Sequence, residues 1–155
     1  MHEQAILVTE ADMIRLHGLL AAQQRGGERD QEHLEALRAE LATAVVVESD
    51  EVPADVVTMH SRVGVRDLER DVHTLFTLVP PDEADTLAGR LSVLAPLGTA
   101  LLGRRAGEEI IFRSPAGERR LRLERILYQP EAARRRTAVA PEVSASPARR
   151  AGSRR

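Results

Sequence analysis

Three groups of side chains in this sequence have types and spacings that could do chemistry. The first is Glu28, Asp30 and Glu32, alternate carboxylates just after Gly26-Gly27. Carboxylates on a projecting turn could share a magnesium ion with a partner's active site, because that ion takes oxygen donors. A solvated turn, with charges favouring the N-terminus of a following helix, explains the same residues without a ligand. The second group, Asp82-Glu-Ala-Asp85, spells a helicase signature. An ATPase also needs a glycine-rich phosphate loop ending in Gly-Lys-Ser/Thr, and the chain contains no Lys. Those acids are read instead as the cap and first turn of a short helix. The third group is the histidines, at 2, 17, 33, 60 and 73, and the serines Ser61, Ser92 and Ser114. The histidines show no metal-ligand spacing, and no serine sits in a nucleophile elbow. No catalytic residue, metal or cofactor is expected.

Composition bounds the alternatives. The 155 residues allow one globular domain plus an appendage. No apolar run approaches the roughly 18 residues of a membrane helix, and Met1-His-Glu-Gln4 lacks the basic start and apolar core of a signal peptide. The absence of Cys removes disulfides, thiol catalysis and cysteine zinc sites, and fits a reducing, cytoplasmic setting. The net charge of −2 hides an asymmetry. Residues 131–155 carry seven Arg against two Glu, a net +5, which leaves −7 on residues 1–130. That is not the single basic face of a folded nucleic-acid-binding domain. Arg134–Arg136, Arg149-Arg150 and Arg154-Arg155 could touch nucleic-acid phosphates nonspecifically. A solvated tail is the plainer reading.

The elements that must position these residues follow from periodicity. Residues 5–45 read as two helices folded back on each other. Thr9 is the N-cap of the first, with Asp12 at the third helical position. Met13, Leu16 and Leu20 on the first helix, and Leu34, Leu37 and Leu41 on the second, recur at helical spacing. They predict an antiparallel, coiled-coil-like hairpin over residues 1–47, about 20–25 Å long at 1.5 Å per residue. An ordinary helical pair packed on a core would show the same spacing, and the glycine-rich, charged turn favours a tip standing in water. Val45–Val47 is expected to end the second helix, and residues 48–54 form an acidic connection.

A sheet domain is expected over residues 54–130. Its strands are read at Val56–Ser61, Val72–Val79, Leu91–Leu94, Glu109–Arg113 and Arg119–Tyr128, with a short helix from Asp82 to Leu87. At its centre the strand at Leu91 runs into Pro96-Leu-Gly98, and Gly98 and Gly103 bracket one apolar helical turn. Such a corner suits docking rather than chemistry. The sum is an α+β protein: a helical hairpin, an antiparallel sheet of about five strands, and a disordered Arg-rich tail over residues 131–155.

The sheet region resembles the bacterial Gre transcript-cleavage factors and their relative, the regulator of nucleoside diphosphate kinase. The resemblance is carried by Val57-Thr-Met-His-Ser-Arg-Val63, Phe76-Thr-Leu-Val-Pro-Pro-Asp-Glu-Ala-Asp85, Leu91 to Gly103, Gly107-Glu-Glu109 and Ser114-Pro-Ala-Gly117. It implies an FKBP-like C-terminal domain behind a coiled-coil hairpin, and binding to RNA polymerase at the rim of its secondary channel. Two departures select the branch. Gre factors carry Asp-Ser before the proline of the docking loop, where this chain has Leu94-Ala95, as the kinase-regulator branch does. Gre hairpins are also about twice the length estimated here from the helical rise. Glu28, Asp30 and Glu32 would then fall short of a polymerase active site.

An FKBP-like fold also raises prolyl isomerisation. That pocket wants aromatic walls, and the chain has only Phe76, Phe112 and Tyr128. The expected function is therefore a non-enzymatic regulator docking through Ala95, Pro96, Leu97 and Gly98 and competing with Gre-type factors. An effect on nucleoside diphosphate kinase levels would follow indirectly. The alternatives are a true cleavage factor working through the tip carboxylates, and an interaction module with a nucleic-acid-binding tail.

Overall fold

A computed structural model of the chain describes residues 5–23 and 28–136, with side chains at 28–33 excepted. It begins with a strand that periodicity does not reveal, β1 (Leu7–Thr9). Helices α1 (Glu10–Ala22) and α2 (Glu28–Ala42) follow, and then β2 (Val45–Val47). Val45–Val47 therefore does not end the second helix. It pairs in parallel with β1, Leu7 opposite Val45 and Thr9 opposite Val47. Three residues per strand are too few to show a period of two.

Thr9 caps α1 as expected, its hydroxyl accepting the Asp12 amide at 3.1 Å. The predicted stripes face inward: Leu16 and Leu20 from α1 and Leu34, Leu37 and Leu41 from α2 are buried, and Met13 is partly buried. They do not close a separate seam. They join Ile6, Val8, Val57 and Met59 in one hydrophobic core that continues into the sheet. At 13 and 15 residues the helices are about 20 and 22 Å long.

The main sheet has five strands in the order β5-β4-β3-β7-β6, namely Arg90–Ser92, Val72–Val79, Arg62–Asp67, Gly117–Tyr128 and Glu109–Ser114. Valines 63 and 65, Leu78, Ile110, Leu121 and Leu123 turn inward and line the shared core. The sheet is mixed rather than wholly antiparallel, because β5 runs parallel to β4. Pro80-Pro81 cannot donate to a ladder, so a tight hairpin is closed to the chain there. It loops back instead through two 3-10 turns, Pro81–Glu83 and Thr86–Ala88, which replace the single helix expected at Asp82–Leu87. Asp82, expected as the cap, lies inside the first turn, and it is Asp85 that caps the second, accepting the Ala88 amide at 3.3 Å.

Two further expectations are corrected. Val56–Ser61 is not a strand; the first long strand is β3, starting at Arg62. Two amides of that segment are taken by side chains. Thr58 N–H donates to Ser61 Oγ at 2.8 Å, and Met59 N–H to Asp12 Oδ2 at 3.0 Å. Local side-chain bonds of this kind compete with a ladder, and His60 turns the chain at φ 71. Residues 131–136, assigned to the disordered tail, are helical, with Glu131 and Ala132 buried. Residues 137–155 lie outside the described part of the chain.

Candidate functional site

The corner between β5 and the third helix is the best-organised surface feature that the sequence pointed to. Hydrogen bonding to β4 carries the chain straight into it, with Val93 N–H donating to Val79 O at 2.8 Å. Ser92 then closes the bend twice. Its hydroxyl accepts the Leu94 amide at 3.0 Å and its carbonyl accepts the Ala95 amide at 3.1 Å. Helix α3 (Pro96–Leu101) starts at once, with Ala95 as N-cap and Pro96 in its first turn. Proline suits that position because its missing N–H would have had no partner there. Thr99 ties the helix back by donating its hydroxyl to Val93 O at 2.8 Å.

Gly98 faces inward. A Cβ placed there would sit 2.0 Å from the Ser92 carbonyl oxygen. Its role is to let the bend close, and it presents no surface. Ala95, Pro96 and Leu97 are half-buried and form the accessible part of the corner. Gly103 ends the turn at φ 78, where a Cβ would meet Ile6 at 2.5 Å.

Beside the corner lies a cavity of about 280 Å³ that sequence reasoning did not find. Leu97 is shared between the two. The walls are largely apolar, from Val65, Val72, Phe76 and Phe112, and the rim carries an ion pair between Asp67 and Arg119. The Arg70 amide, then the Glu69 amide and Arg119, hold the Asp67 carboxyl below its ordinary range, against some opposing desolvation. Register brings these groups together. Asp67 faces Leu121 across β3–β7, and Arg119 faces Phe112 across β6–β7. The lining residues are spread over more than fifty positions, so no local motif could have announced them.

The other candidates from the sequence are the tip acids and the histidines. Glu28, Asp30 and Glu32 fall in the first turns of α2, and their side chains lie outside the described ones. His60 and His73 pair with single acids, Glu83 at 2.9 Å and Glu124 at 3.1 Å. Among the described residues no three His, Cys, Asp or Glu side chains converge on a metal position. No described helix is long and apolar enough to cross a membrane.

Comparison with known proteins places this arrangement among the Gre-type domains. Residues 52–128 match the family described as "Transcription elongation factor, GreA/GreB, C-term", and residues 4–47 match "Rnk N-terminus". A transcription elongation factor GreA/GreB from Nitrosomonas europaea has a similar solved structure, at TM-score 0.66 and 37% identity, covering 81% of this chain and 100% of that one. GreA of Nitratidesulfovibrio vulgaris (strain Miyazaki F) is 34% identical over 126 residues, 81% of this chain and 77% of its own length. The regulator of nucleoside diphosphate kinase of Escherichia coli K12 is 44% identical over 100 residues, 64% of this chain and 74% of the relative. The chain belongs to that regulator family, which is related to the Gre factors.

Proposed function

We propose that this protein is a non-enzymatic transcription regulator. It docks on RNA polymerase at the secondary channel and competes there with Gre-type elongation factors. The observation that carries the reading is the rigid Ala95-Pro96-Leu97 corner, held out by Ser92 and Gly98 with apolar side chains half exposed. Burying such side chains against a partner contributes about 25 cal/mol per Å² of apolar surface. The relatives' names as transcription elongation factors support a partner in the transcription machinery. Helices of 13 and 15 residues support occupation of the channel mouth, without reach to a distant active site. Glu28, Asp30 and Glu32 then complete no metal site, and the protein itself cleaves no transcript. The Arg-rich end, beyond Arg136, adds at most nonspecific contact with nucleic acid.

The test is RNA release from stalled elongation complexes, first with this protein alone and then with a Gre factor added. The expected result is no cleavage alone and a concentration-dependent loss of Gre-stimulated cleavage. Cleavage by this protein that disappears on neutralising Glu28, Asp30 and Glu32 would instead make it a cleavage factor. No effect in either arm would remove the docking proposal.

A further inference from the structure

The joint between the helical pair and the sheet runs through residues 48–61, a connection that would ordinarily be a hinge. Few of its backbone groups enter a ladder, and a connection of that length without regular structure is normally mobile. Here, beside backbone bonds to Leu78, Gly103 and Ala106, the carbonyls of Ser49, Val52, Pro53 and Val56 accept side chains from one short segment near the other end of the described chain. Gln129 Nε2 donates to Pro53 O at 2.7 Å and to Val56 O at 2.8 Å. The same side chain accepts the Ala132 amide at 3.1 Å, which starts the helical turn. Arg135 donates to Ser49 O at 3.2 Å and to Val52 O at 2.9 Å. Glu131 accepts the Thr58 hydroxyl at 2.7 Å.

The connection reaches the helices as well. Thr58 Oγ1 lies 3.0 Å from Ser61 Oγ, whose oxygen also takes the Thr58 amide. The next amide, of Met59, is held by Asp12 on α1. Three buried polar side chains, Gln129, Glu131 and Asp12, are 2%, 6% and 4% exposed, so water offers little competition for these bonds. The segment lies just past the matched Gre-type region, which ends at residue 128.

We propose that residues 129–136 are a strap that locks this joint, so that α1 and α2 are presented at one angle to the docking corner. Gln129, Glu131 and Arg135 are positioning residues. They act through residues 49–61 and touch no partner. The lock is independent of which partner the corner meets.

The chain has no Cys, so labels can be placed cleanly. Ile14 on α1 is 74% exposed and Leu87 beyond β4 is 100% exposed. Spin labels on Ile14→Cys and Leu87→Cys in the full-length protein report the angle as a distance distribution by electron–electron double resonance. The expected result is a single narrow distribution that widens about twofold in Gln129→Ala and in Arg135→Ala, as local opening is released. Arg135 is partly exposed, and its removal empties no core, so that variant decides the matter if Gln129→Ala fails to fold. A distribution in folded Arg135→Ala as narrow as the parent's would overturn the strap. A shifted melting temperature alone would not rescue it.

Discussion

Two aspartates show how the same carboxylate takes opposite roles when its surroundings differ. Burial pushes the Asp12 carboxyl above its ordinary value of 3.8; the Met59 amide opposes this, and the nearby charge of Glu131 adds to it, while Arg15 and His60 lower it. The folded state therefore binds this proton more readily than the unfolded chain. At neutral pH the ionised form costs stability, and that cost fades as pH falls through the raised value. Asp12→Asn keeps an oxygen for Met59 N–H. We expect its melting temperature to exceed the parent's at pH 7, with the gap closing toward pH 4. A variant less stable at both pH values would show that the charge itself is useful.

Asp67 is the converse case, because its carboxyl is held below 3.8 and its ionised form is favoured on folding. Its contribution is present above pH 4 and is lost as pH falls through the depressed value. Asp67→Asn should lower the melting temperature at pH 7 and leave a smaller deficit in acid. Parallel curves for parent and variant would contradict that sign. Gly98→Ala needs no titration argument. Its new methyl group overlaps the Ser92 carbonyl at 2.0 Å, and backbone cannot step aside as a flexible side chain can. A loss of about 3 kcal/mol is expected in denaturant unfolding.

At the scale of elements, the corner and the helices make separable predictions. Pro96 and Leu97 lie at the start of α3, where half their surface role is unspent on the core. Replacing both with Asp puts charges where apolar contact is proposed, and acids are tolerated in a first helical turn. The double variant should keep its circular dichroism and lose polymerase binding in a pull-down; binding that survives would move the docking surface elsewhere. Leu37 is fully buried among the residues that join α2 to the sheet core. Leu37→Ala should therefore cost about 2–5 kcal/mol and weaken the whole fold. A cost confined to the helices, with the sheet melting unchanged, would mean two independent domains.

For the whole molecule, the decisive boundary is the one between the sheet domain and the Arg-rich end. Inspection of composition places it at residue 131, yet Glu131, Ala132 and Arg135 are integral to the joint. A chain ending at Arg136 should melt with the full-length protein. One ending at Tyr128 loses the bonds of Gln129, Glu131 and Arg135, on the order of 3 kcal/mol and about 10 °C. Equal melting of the two truncated chains would show that the segment adds no stability. Any experiment on the role of the Arg-rich end must therefore cut after 136, since an earlier cut also removes the strap.

Local rules were enough for much of this protein. The N-cap Thr9, the two leucine stripes, the strand Val72–Val79, the paired strands after Gly107 and the Pro96-Leu-Gly98 corner all follow from spacing of a few residues. Helix faces, caps and turns are set by near neighbours, so they can be read along the chain. What tertiary structure alone decided depends on partners far apart in sequence. The β1–β2 pair joins residues 38 positions apart. The cavity beside Leu97 needs four strands in register. The apolar run at Val56–Ser61 became a bend because Asp12 and Ser61 took amides that a ladder would have used. The Ala- and Arg-rich residues 131–136 carry no periodic signal, and they are placed by Gln129 and Arg135 bonding carbonyls some eighty positions back in the chain.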